Sequence, residues 1–411
     1  MDSSTTRETT ADQQRLHSPG GPSLADAGYD GRTLWASTFA HFLNDFYVSF
    51  LAPLLPLVVA KFDLSLALAG LLATVLTTSA AMSQPLFGAM ADRMQHRTFV
   101  VLGPALTVVA MGLMGLAPTY GLLIVLLLIA GTGTASFHPQ GASTAGEASG
   151  RRKGTGLSLF VSGGEFGYSL GPLLIALAVA AWGLGATWMV AIPGVVACVL
   201  LWRSIPPDRE VPARPVGNTL RSDLLAAVGP LALLWFIVAL RSVVISAYQT
   251  FLPLMLSERG GSIVAGGLAV FLFGGVGTIG GVTGGTLSDR FGRRKVLALS
   301  LILGAPLLYA FVRTQGPWSY VFLALGGVAL YLSAAITIVM AQELMPHRAS
   351  VASSIVMGLA WGTAGLSLTG VGALGDIFGL ERTLIWVLGL AVVALAAVGF
   401  LPATPPARTA R

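Results

Sequence analysis

Charge is what this chain has least of. Only 10% of its 411 residues are Asp, Glu, Lys or Arg, against about 25% in an average soluble domain. Hydrophobic residues fill 54% of it, more than a soluble protein of this size hides, because its own surface needs polar cover. The single cysteine, Cys198, excludes an internal disulfide framework and any zinc or iron–sulfur site built on cysteines. Lysine is scarce as well, with 3 among the 24 cations, and together with abundant Ala and Gly this suggests a GC-rich bacterial genome. There is no His-Glu-x-x-His helix and no Walker loop, which leaves an intramembrane enzyme a weak reading. No cofactor and no metal is expected. The net charge of +6 does not point to nucleic acid, because the cations sit in short gaps between long apolar runs, and Arg151-Arg152-Lys153 is one such gap.

What is there is a series of apolar spans, each near or above the roughly 20 residues a helix needs to cross a bilayer. They run over 33–60, 66–91, 98–117, 120–145, 154–181 and 185–205, then over 223–256, 263–289, 295–314, 318–342, 351–375 and 383–402. The expected fold is an all-α polytopic membrane protein, with twelve transmembrane helices in two pseudo-repeated six-helix bundles. Residues 1–32 and 403–411 read as tails and 206–222, with Pro206, Pro207, Pro212 and Pro215, as a linker between bundles 33–205 and 223–402. The start of the chain lacks the cationic-then-apolar pattern of a signal peptide. If the N-terminus is cytoplasmic, 19 Lys and Arg fall on the cytoplasmic side and 4 on the other. That split predicts a bacterial inner-membrane protein with both ends cytoplasmic. Trp35, Trp182, Trp188 and Trp318 near span ends suit the interface.

The chain repeats itself. Gly88-Ala-Met-Ala-Asp92-Arg93 returns as Gly285-Thr-Leu-Ser-Asp289-Arg290 at an offset of 197, and Glu147 with Arg152 returns as Glu343 with Arg348 at an offset of 196. Duplicated halves of one orientation are a transporter architecture. The loop Gly285–Lys295 resembles the signature of the major facilitator superfamily, and Gly88–Arg97 resembles a degraded copy with Gln95 in place of the second glycine. More narrowly, His41-Phe-Leu-Asn44-Asp45, Ser136-Phe-His138-Pro139 and Gly163-Gly-Glu-Phe-Gly167-Tyr-Ser-Leu-Gly171-Pro172 resemble the fosmidomycin-resistance branch of efflux proteins, except that Glu165 stands where that branch is expected to carry an amide. The resemblance implies a cytoplasmic latch at Asp92, Arg93, Asp289 and Arg290. It also implies a kinked fifth span of antiporter type, although a plain packing kink fits almost as well. By spacing, Gly88 and Gly285 admit a close neighbouring helix. Gly277, Gly281 and Gly285, four apart, read as a helix-packing face. The formal dinucleotide fingerprint Gly275-x-Gly277-x-x-Gly280 has no strand before it and is dismissed.

Ionisable side chains inside the apolar spans are functional candidates by default, since each costs at least about 2.5–3.5 kcal/mol at the bilayer centre. There are five: His41, Asp45, His138, Glu165 and Arg241. Counting 1.5 Å per residue sets four of them at similar depth, and the resemblance lets all five face one aqueous chamber. Glu165 and Asp45 are the proton-carrying candidates, with His41 as a relay or a packed polar residue. Arg241, a forked donor, would anchor an anionic group, with His138, Asn44, Gln249 and Asp45 as further substrate contacts. Two plainer alternatives stay open: an ion pair between Asp45 and Arg241, and His138 merely answering a carbonyl freed by Pro139. The expected function is a proton-coupled antiporter exporting a small anionic or zwitterionic compound, a fosmidomycin-like phosphonate by resemblance. An importer of an organic anion on the same scaffold is the alternative. Its partners would be the small-molecule substrate, protons and the bilayer, and it would work as a monomer.

Overall fold

The structure is a computed structural model that describes residues 28–84, 86–87, 96–150, 153–205, 220–345 and 349–401. Its first bundle comprises α1 (Gly31–Phe62), α2 (Leu66–Met82), α3 (His96–Leu113), α4 (Tyr120–Ala148), α5 (Lys153–Trp182) and α6 (Thr187–Ser204). The second comprises α7 (Leu220–Glu258), α8 (Ile263–Phe291), α9 (Arg293–Arg313), α10 (Pro317–Leu344), α11 (Ala349–Phe378) and α12 (Leu380–Val398). Eleven of these helices are long and apolar enough to cross a membrane, and the shorter α2 is the twelfth. Large apolar side chains such as Leu106, Val196, Ile302 and Val392 face outward. In a bilayer that surface needs no polar cover.

The ends follow local chemistry. Asp30, Ser65, Thr119 and Ser262 accept the orphan N–H groups that open α1, α2, α4 and α8. The corners between α8 and α9 and between α11 and α12 each turn on one glycine of positive φ, Gly292 at 92° and Gly379 at 83°. Three helices are interrupted: α1 at Ser49–Phe50, α8 by a π-helical turn at Phe271–Val276, and α10 at Leu332–Ser333. Such breaks inside membrane spans are tolerated where protein buries them.

Two expectations need correction. Helix α7 is described from Leu220 rather than 223, since no proline lies between Pro215 and Pro230 to hold its first turn out of the helix. The rest of the expected linker, 206–219, lies outside the described residues, as do residues 1–27 of the first tail and the whole of 403–411. The glycine face of α8 also differs: Gly280 and Gly284 abut the Val328 and Leu332 carbonyls of α10, whereas nothing approaches Gly285 and only the Tyr331 carbonyl grazes Gly281. Spacing alone does not say which of two four-residue rows on one helix, 277–281–285 or 280–284, turns toward the neighbour, and along Thr278–Phe291 the second row does.

The halves meet along two seams. In one, Thr74 of α2 donates to the Gly365 carbonyl of α11 at 2.7 Å, and Gly70 and Gly372 leave no room for a Cβ. In the other, Gly267 of α8 sits against the Pro172 carbonyl of α5. Both seams run from mid-helix toward the end where α1 turns into α2. There Asp376 of α11 accepts the Leu66 and Ala67 N–H groups at 2.7 and 2.9 Å while Ser65 accepts Leu68 N–H, so the start of α2 is satisfied from both halves. The protein is closed at that end.

Candidate functional site

The fifth helix is glycine-rich on the face it turns to α1. Gly163, Gly164, Gly167 and Gly171 lie against Thr38, His41, Phe42 and Phe46 with no space for a Cβ. That close approach places the Phe160 ring 4.2 Å from the His41 ring and the Phe160 carbonyl 2.8 Å from His41 Nδ1. A carbonyl only accepts, so Nδ1 carries the proton there. His41 Nε2 then faces Asp45 Oδ2 at 3.3 Å. A neutral imidazole would present its lone pair to an anion across that gap, so the contact is attractive only with one further proton on Nε2 or on the carboxyl.

Asp45 gathers two more partners. His138 Nε2 of α4 lies 3.3 Å from Oδ1, and Asn44 Nδ2 donates to Oδ1 at 2.8 Å. Asn44 is in turn oriented by Thr107 Oγ1, which donates to its Oδ1 at 3.0 Å, with Thr134 Oγ1 at 3.4 Å. His138 therefore answers Asp45 and not a carbonyl freed by Pro139. The nitrogens of His41 and His138 and an oxygen of Asp45 fall within 4.8 Å of one another, close enough for one small cation as well as for shared protons. Hydrogen bonding accounts for every one of these contacts without one.

The second half presents a different centre. Arg241 of α7 is buried, and its Nη1 donates to Ser333 Oγ at 2.8 Å and to the Leu330 carbonyl at 3.5 Å, at the interruption of α10. Ser300 Oγ donates to Ser333 Oγ at 3.0 Å, completing the cradle. Arg241 Nε is buried without a partner, and among the described residues no carboxylate pairs with the guanidinium. The expected alternative of an Asp45–Arg241 ion pair is therefore not made.

Between the two centres stands Tyr331 of α10. It takes a hydrogen bond from Gln249 Nε2 at 2.9 Å and interacts electrostatically with both Glu165 and Arg241. Glu165 is exposed on α5 and couples to His41 and Asp45. The five ionisable residues thus fall into two clusters joined across Tyr331. Tyr331, Ser333, Ser300, Thr107, Thr134 and Asp376 were not singled out from the sequence. The signal for Ser333 and Tyr331 was Arg241, which must be answered by something polar, whereas Thr107 and Thr134 answer Asn44, Ser300 answers Ser333 and Asp376 answers the N–H groups at the start of α2. Of the latch residues, Asp92 and Arg93 lie outside the described residues. Asp289 and Arg290 are exposed, with Arg290 over the Phe291 ring at 5.3 Å, while the nearby ion pair joins Arg293 to Glu343.

The model of the Major Facilitator Superfamily matches residues 37–368. The fosmidomycin resistance protein of Escherichia coli (strain K12) is 30% identical over 356 residues, covering 85% of this chain and 87% of the relative. An MFS-type transporter of Bacillus subtilis (strain 168), YfnC, is 29% identical and covers 87% and 90%. The multidrug resistance protein MdtG of Citrobacter koseri is 26% identical over 70% and 74%. Among solved structures, a bacterial homologue of the human lysosomal transporter Spinster superposes with a TM-score of 0.76 at 16% identity, covering 90% and 96%.

Proposed function

Because this chain belongs to the major facilitator superfamily, whose members are transporters and not enzymes, we propose that it is a proton-coupled antiporter exporting a small zwitterionic or anionic organic compound by alternating access. The observation that carries this is the buried guanidinium of Arg241 with no acidic partner. A cation at mid-membrane costs about 2.5–3.5 kcal/mol or more, and an anionic group arriving at its free donors relieves that cost. A phosphonate or carboxylate matches the fork. The drug-resistance names of the relatives support an exported, drug-like cargo of which a fosmidomycin-like phosphonate is the first to try.

Charge logic then favours the zwitterion. A proton added near Arg241 strengthens the binding of an anion, so a purely anionic solute would travel with the proton. Export in exchange for protons needs competition, and Glu165 supplies it. Ionised, it holds a cationic group on the substrate; protonated, it lets that group go. His41, Asp45 and His138 hold a proton within electrostatic reach of Glu165. The cytoplasmic placement of both termini rests on the arginine distribution, and with it the closed seam lies on the periplasmic side, leaving the site to load from the cytoplasm.

The test uses energised everted membrane vesicles containing the protein and a pH-sensitive dye. Zwitterionic phosphonates and amino-acid-like drugs should dissipate the proton gradient, and the response should vanish in Glu165→Gln. An unchanged response in that variant overturns the competition. Silence across the panel, together with proton-driven uptake of anions by whole cells, overturns export in favour of import.

A further inference from the structure

At the end of the protein where α1 begins and α6 stops, two cavities adjoin, sharing Arg32 and Ser204 in their walls. One, of about 260 Å³, is lined by Arg32, Arg97, Arg203 and Asp30. The other, of about 370 Å³, is an apolar groove between α1 and α6 walled by Trp35, Phe39 and Leu200. Three cations thus face one carboxylate, and that carboxylate is already engaged: Asp30 accepts Thr33 N–H at 3.1 Å and the Thr33 hydroxyl at 2.6 Å. Arg32 Nη2 donates to the Arg203 carbonyl at 3.3 Å, and Arg97 donates to the Trp202 carbonyl and stacks on the Trp202 ring, so both answer the open carbonyls that end α6. Among the described residues the exposed guanidinium of Arg203 makes no hydrogen bond or ion pair, and Arg32 spends one donor of five.

We propose that the two cavities form one site for an anionic glycerophospholipid, with its phosphate on Arg32 and Arg203, Arg97 adding charge, and an acyl chain along the groove. The adjoining apolar wall distinguishes this ligand from a soluble anion. Trp35 and Leu200 are 59% and 56% exposed there, surface that a phosphate alone leaves bare. Basic pockets between transmembrane helices at the membrane surface select acidic headgroups in just this manner. The site is on the outer wall of the first bundle, away from Arg241, and does not rest on the transport reading.

Native mass spectrometry of the full-length, delipidated protein tests it. Phosphatidylglycerol and phosphatidylcholine of the same chain length are added in equal amounts, and inorganic phosphate is added separately while thermal stability is followed. One phosphatidylglycerol should survive collisional activation where phosphatidylcholine does not. Arg203→Gln, at an exposed side chain without partners among the described residues, should weaken retention by about fivefold, and Arg32→Gln with Arg203→Gln by roughly 25-fold. Ala197→Trp, which fills the groove without touching a charge, should also expel the lipid. Equal retention of both lipids, or full retention in Arg203→Gln, reduces the site to annular lipid and overturns the proposal. Stabilisation by inorganic phosphate equal to that by phosphatidylglycerol overturns it in favour of a soluble anion.

Discussion

Asp45 and Arg241 occupy the same place in the two halves. They are 196 positions apart, the offset of the Glu147 and Glu343 echo. Around Asp45 the first half supplies His41, His138 and Asn44. The equivalent positions around Arg241 carry Ile237, Ala334 and Leu240, and the guanidinium meets a serine hydroxyl and a carbonyl in place of any ionisable partner. One copy of the duplicated helix became a satisfied acid with its bases, and the other a cation waiting for an acid. The lesson is that a duplicated scaffold carries opposite charge at equivalent positions, which the proposed function uses by giving each half one sign.

The comparison breaks most visibly at Arg241. Arg241→Gln should abolish substrate binding, a loss of 100-fold or more expected when one partner of a buried charged contact is removed. Asp45→Asn should leave binding within a few-fold and abolish proton exchange. Equilibrium binding of a labelled substrate beside the vesicle assay reads both. Binding lost in Asp45→Asn and kept in Arg241→Gln would reverse the assignment of the halves.

Packing offers the next largest contrast. Gly167→Ala drives a Cβ into the Phe42 carbonyl between α5 and α1, and overpacking of that kind costs about 1–3 kcal/mol. Gly285→Ala in the second half meets open space and should be neutral. Thermal midpoints of the two purified variants decide whether the α5–α1 contact is tight at Gly167 and the signature-loop glycine Gly285, unlike Gly280 and Gly284, is not. Arg241→Lys is subtler: it keeps the charge and loses the fork, so affinity for a phosphonate should fall by about tenfold. Full affinity in that variant would refute two-pronged recognition.

Most of the fold was legible because a bilayer imposes its own length on every span. Each of the twelve apolar runs became a helix, and apart from the second, expected over 66–91 and helical over Leu66–Met82 with 88–91 outside the described residues, the ends are displaced by only a few residues. The five ionisable residues within the spans were equally plain, since nothing else justifies charge at that depth. Their grouping was not. Depth along a helix says nothing of rotation about it, so the sequence left Asp45 free to pair with Arg241, and only the contact of Phe160 and His138 with the first helix assigns it elsewhere. The interruption of α10 at Leu332–Ser333, which frees the carbonyl that Arg241 meets, carries no proline or glycine to announce it. The glycines of α8 were misread for a related reason, because a four-residue count does not fix which row of the helix faces α10.

The two seams between the halves give the finest test. Glycine packing alone closes α5 against α8, whereas α2 against α11 adds the carboxylate of Asp376 on two N–H groups of a helix start. Such a cap is worth about 1 kcal/mol, and it exists only while the halves are together at that end, so its whole value biases the equilibrium between the two access states. Asp376→Asn keeps the size and an acceptor oxygen but removes the charge that favours a helix N-terminus. Cysteines introduced singly at Leu66 and at Ala176, whose Cβ faces Gly267 on the other seam, should then both react faster with a membrane-impermeant maleimide, by roughly fivefold or less for that energy. Faster reaction at Leu66 alone would mean local fraying of α2 without opening, and no change at either would show that apolar packing by itself keeps this end shut.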